Sequence, residues 1–170
     1  MELGAYLAAV LFFAFAVPKL LIERTVIDGS SMEPSLHDGE NVLVEKVSVR
    51  AGGVKRFDII IFSPEGVPDG KHYVKRVIGL PGETVQIADG KILIDGTPLD
   101  ESYGMSEEIS YAGLAAEKIT LAEDEYFVLG DNREVSEDSR YPAVGRVKAG
   151  QIRGRVLVRI WPLSVFGTVD

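Results

Sequence analysis

Three hydroxyls crowd one short stretch, Asp28-Gly29-Ser30-Ser31-Met32-Glu33-Pro34-Ser35-Leu36. Gly29 loosens the backbone and Pro34 fixes it again, so the residues between them form a short, stiff loop. A serine on such a loop can present its oxygen to a substrate; a serine-rich surface turn is the alternative. A serine hydroxyl is a weak nucleophile at neutral pH and needs a base. The chain contains no Cys, which excludes disulfides, thiolate nucleophiles and Cys-bound zinc. Its two histidines, His37 and His72, show no HExxH-type spacing. Lys75 is the base that stands out. It lies between Tyr73 and Val77 in a strand-like run, where an ammonium is desolvated and the neutral amine favoured. The neutral amine is the form that can take a proton from Ser31. A lysine snorkelling from an edge strand is the competing reading.

Three blocks carry a resemblance. Ser31-Met32-Glu33-Pro34-Ser35-Leu36 follows a long apolar run. Tyr73-Val74-Lys75-Arg76-Val77-Ile78-Gly79-Leu80-Pro81-Gly82 comes next, preceded by Phe57-Asp58-Ile59-Ile60-Ile61-Phe62. Gly130-Asp131-Asn132-Arg133, then Ser136, Asp138, Ser139 and Arg140, form the last. Each block is short; together, and in this order, they resemble the type I signal peptidases. That resemblance implies a membrane-bound serine endopeptidase that removes signal peptides from exported preproteins, with no metal and no cofactor. It implies Ser31 as nucleophile and Lys75 as general base. It further implies that the Ser136 hydroxyl holds the lysine amine, and that Asp138 and Arg140 brace the site, with Arg76 joining them. Ordinary salt-bridge support is the plainer role for those three. Asp131 and Asn132 suit a tight turn. An acyl-transfer site needs donors for an oxyanion. The backbone N–H of Ser31 is one candidate. The position two residues earlier, a hydroxyl in some relatives, is here Gly29, which leaves its backbone or the neighbouring Ser30 to serve. Family specificity for small side chains implies shallow apolar pockets, with Val26, Ile27, Met32, Leu36 and Ile60 as candidate linings; Met32 could equally meet lipid.

These residues need elements to hold them. Leu3 to Ile22 is nearly all apolar, interrupted by Pro18 and Lys19, and is long enough to span a bilayer as a helix. A retained anchor, a cleaved signal peptide ending near Ala14-Phe15-Ala16 and a buried helix compete for it. The start Met1-Glu2 lacks the positive charge of a signal peptide. Lys19 and Arg24 would favour a cytoplasmic C-terminal side, whereas the resemblance places the catalytic domain on the extracytoplasmic face. The expected division is an anchor over 1–24 and a β-rich catalytic domain over 25–170.

Beyond the anchor the chain reads as antiparallel β structure. Strands are expected at Val42–Val47, Asp58–Phe62, His72–Gly79, Thr84–Ala88, Lys91–Ile94, Tyr126–Leu129 and Arg155–Trp161. Asp89-Gly90 and Asp95-Gly96 mark hairpin turns. Residues 100–116 lack a period and read as a surface excursion. At 170 residues the chain can bury one core. Its net charge of −8 argues against a nucleic-acid surface. Two other functions compete. A self-cleaving Ser/Lys repressor would need a DNA-binding helical domain, and the residues before Ser31 are mostly apolar. An anchored, non-enzymatic β domain binding a protein partner would not need Ser31 or Lys75.

Overall fold

The computed structural model describes residues 4, 6, 21–50, 53–66, 71–104 and 108–169. The apolar run falls almost entirely outside them, so the expected anchor lies outside the described residues. No helix among the described residues is long and apolar enough to cross a membrane. The β domain starts earlier than residue 25. Strand β1, Ile22–Val26, pairs antiparallel with β2, Asn41–Glu45, so residues 22–24 belong to the sheet.

Two antiparallel sheets follow. The larger has seven strands in the order β1-β2-β11-β3-β4-β9-β10, with β3 at Ile59–Phe62, β4 at Tyr73–Gly79, β9 at Glu125–Leu129, β10 at Val147–Lys148 and β11 at Ile152–Trp161. The smaller has the order β7-β6-β5-β8, with β5 at Thr84–Ala88, β6 at Lys91–Ile94, β7 at Thr97–Pro98 and β8 at Ile119–Thr120. The Ile-Ile-Ile-Phe of β3 is buried on both faces, as a continuous apolar run requires. Both expected hairpin turns form. Asp89 and Gly90 have φ of 50° and 72°, Asp95 and Gly96 have 51° and 78°, the left-handed pair that a two-residue hairpin demands.

Alternation along β4 sorts its side chains as expected. Tyr73 and Val77 pack with Ile60, Phe62 and Val128. Val74 packs with Ile59 and Ile61 on the opposite face, and Ile78 joins Val85, Leu121 and Phe127 between the sheets. The stretch 100–116 is not wholly a surface excursion. Ile109 and Ala115 are buried in that last cluster, the latter on a 3-10 turn at Gly113–Ala116. The short strands β8 and β10, the helical turn Val47–Arg50 and the first three residues of β11 were not legible in advance.

Candidate active site

The loop after β1 is folded by its own backbone. Glu33 donates to the carbonyl of Ser30 (3.2 Å) and Leu36 to that of Met32 (2.9 Å). Met32 and Leu36 are driven into the core at 1% and 0% exposure, which leaves Ser31 half-buried at the loop's crest. Met32 therefore does not meet lipid. The turn after β9 clamps this loop from the far side. Asn132 donates its backbone N–H to the Ser31 carbonyl (3.1 Å) and its side-chain amide to the Ser30 carbonyl (3.3 Å). Asn132 thus holds the serine loop as well as shaping its own turn.

Lys75 reaches this crest from the middle of β4. Its Nζ lies 2.8 Å from Ser31 Oγ and donates to the Val74 carbonyl at 3.0 Å. The amine also sits 5.6 Å from the centre of the Tyr73 ring. The residue is 4% exposed. Burial is the main reason its pKa falls to about 8; the Arg140 charge also lowers it, while Asp138, Glu137 and Asp131 pull it back up. The pair can therefore offer a neutral amine beside a hydroxyl within about a pH unit of neutrality.

Two buried ion pairs frame the dyad. Arg76, the residue after Lys75, points to the opposite face and grips Asp131 through both carboxylate oxygens (2.9 and 2.8 Å). The same guanidinium donates to the Phe57 carbonyl (2.9 Å) and to Ser35 Oγ (3.1 Å), and stacks 3.7 Å from the Tyr103 ring. Phe57 adopts φ of 72°, rare for a bulky residue, where its carbonyl serves this arginine. Arg140 grips Asp138 (2.8 and 2.9 Å), and Asp138 also accepts the Gly130 N–H at 3.1 Å. Arg76 therefore partners Asp131, not the Asp138–Arg140 pair it was expected to join. Asp131 does more than shape a turn. Arg133 adds a third pair, with Glu101 (2.7 and 2.9 Å), that the sequence did not reveal.

Several expected site residues sit elsewhere. Ser136 is 1% exposed, but its Oγ has no hydrogen-bond partner, so it does not hold the lysine amine in this structure. Its neighbourhood is packed around Gly130. A Cβ there would stand 2.2 Å from Ser136 Oγ and 2.5 Å from the Ser31 carbonyl oxygen. Gly130→Ala must push the serine loop or the 136–140 segment aside. We expect at least a tenfold slower acylation of Ser31 by a serine-reactive probe with the fold retained, measured beside a thermal melt. Gly29 has φ of 89°, and its N–H is taken up by Asp38 Oδ1 at 2.8 Å, so it is not a free oxyanion donor. The Ser31 N–H has no hydrogen-bond partner among the described residues. Ser30 is exposed, and its carbonyl is held by Asn132.

A cleft of about 520 Å³ opens over Ser31 and Lys75. Val26, Ile27 and Met32 line it, as expected, together with Ile61, Val74 and Tyr73. Leu36 and Ile60 do not; both are fully buried in the core. Ile60 pairs with Lys75 and packs with Phe62, Val77 and Val128 in the core, whereas Ile61 pairs with Val74 and lines the cleft. His72 also lines the cleft, with Nδ1 2.9 Å from Ser63 Oγ. Among the described residues no cluster of three or more His, Asp or Glu is arranged to hold a metal ion.

Known proteins resemble this chain along most of its length. A probable signal peptidase I-2 from Synechocystis is 33% identical over 171 residues, covering 98% of this chain and 76% of that protein. A signal peptidase I from Bacillus licheniformis is 41% identical over 164 residues, covering 92% and 86% respectively. A crystal structure of a signal peptidase I from Enterococcus faecalis aligns at 40% identity with a TM-score of 0.48, over 60% of this chain and 95% of that one. The family model for signal peptidase, peptidase S26, matches residues 1–161, a span that takes in the serine loop, the lysine strand and the Asp131–Arg140 turn alike. By that match, and by relatives a third or more identical along nearly its whole length, the chain belongs to the S26 signal peptidase family.

Proposed function

We propose that this chain is a membrane-anchored endopeptidase that cuts signal peptides from exported preproteins with a Ser31–Lys75 dyad. The observation that carries the proposal is the 2.8 Å separation of Ser31 Oγ and Lys75 Nζ on a buried, pKa-lowered amine. Ser31 Oγ attacks the scissile carbonyl while Lys75 Nζ takes its proton. The Ser31 N–H is placed to donate to the developing oxyanion. Lys75 then delivers the proton to the leaving amine. In the second half Lys75 accepts a proton from the attacking water and returns it to Ser31 Oγ as the acyl bond breaks, and the new carboxylic acid ionises into solvent. Asp138–Arg140 and Arg76–Asp131 keep the two walls of the cleft in register; neither pair exchanges protons with substrate.

The cleft's apolar lining from Ile27, Met32, Ile61 and Val74 is the candidate site for the small side chains on the acyl side of the cut that family specificity implies. The apolar run that precedes β1 serves as the anchor in this reading. It holds the catalytic domain at the extracytoplasmic membrane surface, where preproteins arrive, and so raises the local substrate concentration. The test is cleavage of a purified preprotein in detergent micelles across pH. The enzyme should release the mature protein with a rate that rises with pH and levels off above about 8, where Lys75 has lost its proton. A preprotein left intact at every pH would dismiss the peptidase in favour of a binding domain.

A further inference from the structure

Glu137 lies between two buried residues, Ser136 and Asp138, yet is itself exposed on the rim of the cleft. Its Oε2 accepts the Tyr73 hydroxyl at 3.0 Å. That bond crosses the cleft wall, tying the turn that carries Asp138 and Arg140 to the strand that carries Lys75. Tyr73 is fixed in turn from behind, with its ring 6.0 Å from Phe62 in an edge-on contact. The same ring faces two amines, Lys75 Nζ at 5.6 Å and Lys71 Nζ at 5.8 Å. A carboxylate is therefore latched at a set place on the rim by the residue whose ring also faces the Lys75 amine.

We propose that Glu137, latched by Tyr73, is a positioning residue that governs proton transfer at Lys75. This rests on the Ser31–Lys75 reading. The charged groups acting on Lys75 are Asp131, Glu137, Asp138 and Arg140, all from the turn after β9; the Tyr73 ring faces the amine from β4, and Lys71 faces that ring from the approach to β4. Asp131 and Asp138 are each consumed by an arginine, so Glu137 is the acidic member of this group without one. Its negative charge favours the ammonium and opposes the burial that frees the amine. The carboxylate is exposed, so its hold is moderate and weakens with salt.

The test compares kcat/KM against pH for the full chain and for Glu137→Gln and Tyr73→Phe, at low and high salt. In Glu137→Gln the rising limb should move to lower pH by about half a unit, which raises the rate below the midpoint about threefold. Tyr73→Phe releases the carboxylate into solvent, and its limb should move the same way by less. Salt should shrink the difference between wild type and Glu137→Gln. Coincident limbs in wild type and Glu137→Gln, or a limb moved to higher pH, would overturn this inference and leave the dyad standing. A wild-type rate with no such limb would overturn the dyad itself and this inference with it.

Discussion

Lys75→Met should abolish preprotein cleavage and at the same time make the domain more stable. The loss of rate follows from removing the base beside Ser31, and Ser31→Ala should match it. By analogy with other serine peptidases each falls by roughly 10⁴- to 10⁶-fold, and the double variant no further. The gain follows from the lysine's own cost. Its pKa is about 8 in the folded protein against 10.5 as a free side chain. Between those values the unfolded chain binds the proton and the folded chain does not, so stability rises with pH across that window. Below about 8 both forms are protonated, and the folded protein carries the full penalty, about 3 kcal/mol at 1.36 kcal/mol per unit. Methionine fills similar space without the charge. Urea denaturation at pH 7 should show the variant more stable by up to that amount, with the rise between pH 8 and 10.5 gone. A variant that unfolds at the same urea concentration as wild type would mean that the amine is solvated.

Asp131→Ala should be the most damaging single change to the fold near the site. Arg76 is 1% exposed, and among the described residues Asp131 is its only carboxylate partner. Truncating the acid strands a guanidinium in the core, which costs about 3 to 5 kcal/mol. Changing both residues, with Arg76→Met beside Asp131→Ala, should recover much of that loss, because no charge is then left buried. The double variant should still be a poor enzyme. Arg76 also holds Ser35 and the Phe57 carbonyl, so the serine loop loses a tether. Thermal melts of the single and double variants, read beside cleavage rates, separate the two effects. Equal destabilisation in single and double variants would show that the cost lies in lost packing.

The strands that were legible are those whose local sequence decides their state. Thr84–Ala88 and Lys91–Ile94 form as expected because the left-handed Asp-Gly turn between them admits few alternatives. Ser31 and Lys75 stood out because each sits in a compact motif, and the structure brings the two side chains within 2.8 Å. What depends on the pairing of distant strands was not. Arg76 meets Asp131 because β4 pairs with β9 so that Arg76 lies opposite Leu129, two residues short of the acid. Nothing near either residue announces that register, so Asp131 read as a turn residue. The start of β11 hid behind Gly154. A side chain there would run within 2.6 Å of Val44 Cγ1 and the Glu45 carbonyl oxygen, so glycine marks a close approach of two strands, not a break. Ser136 and Gly29 fell where backbone position can be guessed and the direction of a single hydroxyl or N–H cannot.

The placement of β11 carries a consequence for synthesis. Ser31 follows β1, on the β1–β2 flank, and Lys75 lies on β4, on the other flank; in the large sheet the only strand joining those flanks is β11. A nascent chain that has emerged as far as residue 150 carries both Ser31 and Lys75 but lacks the strand that joins its halves in one sheet. Proteolytic competence should therefore switch on late and abruptly, once residues 152–161 clear the ribosome, so a half-made enzyme has no means of cutting the preproteins emerging around it.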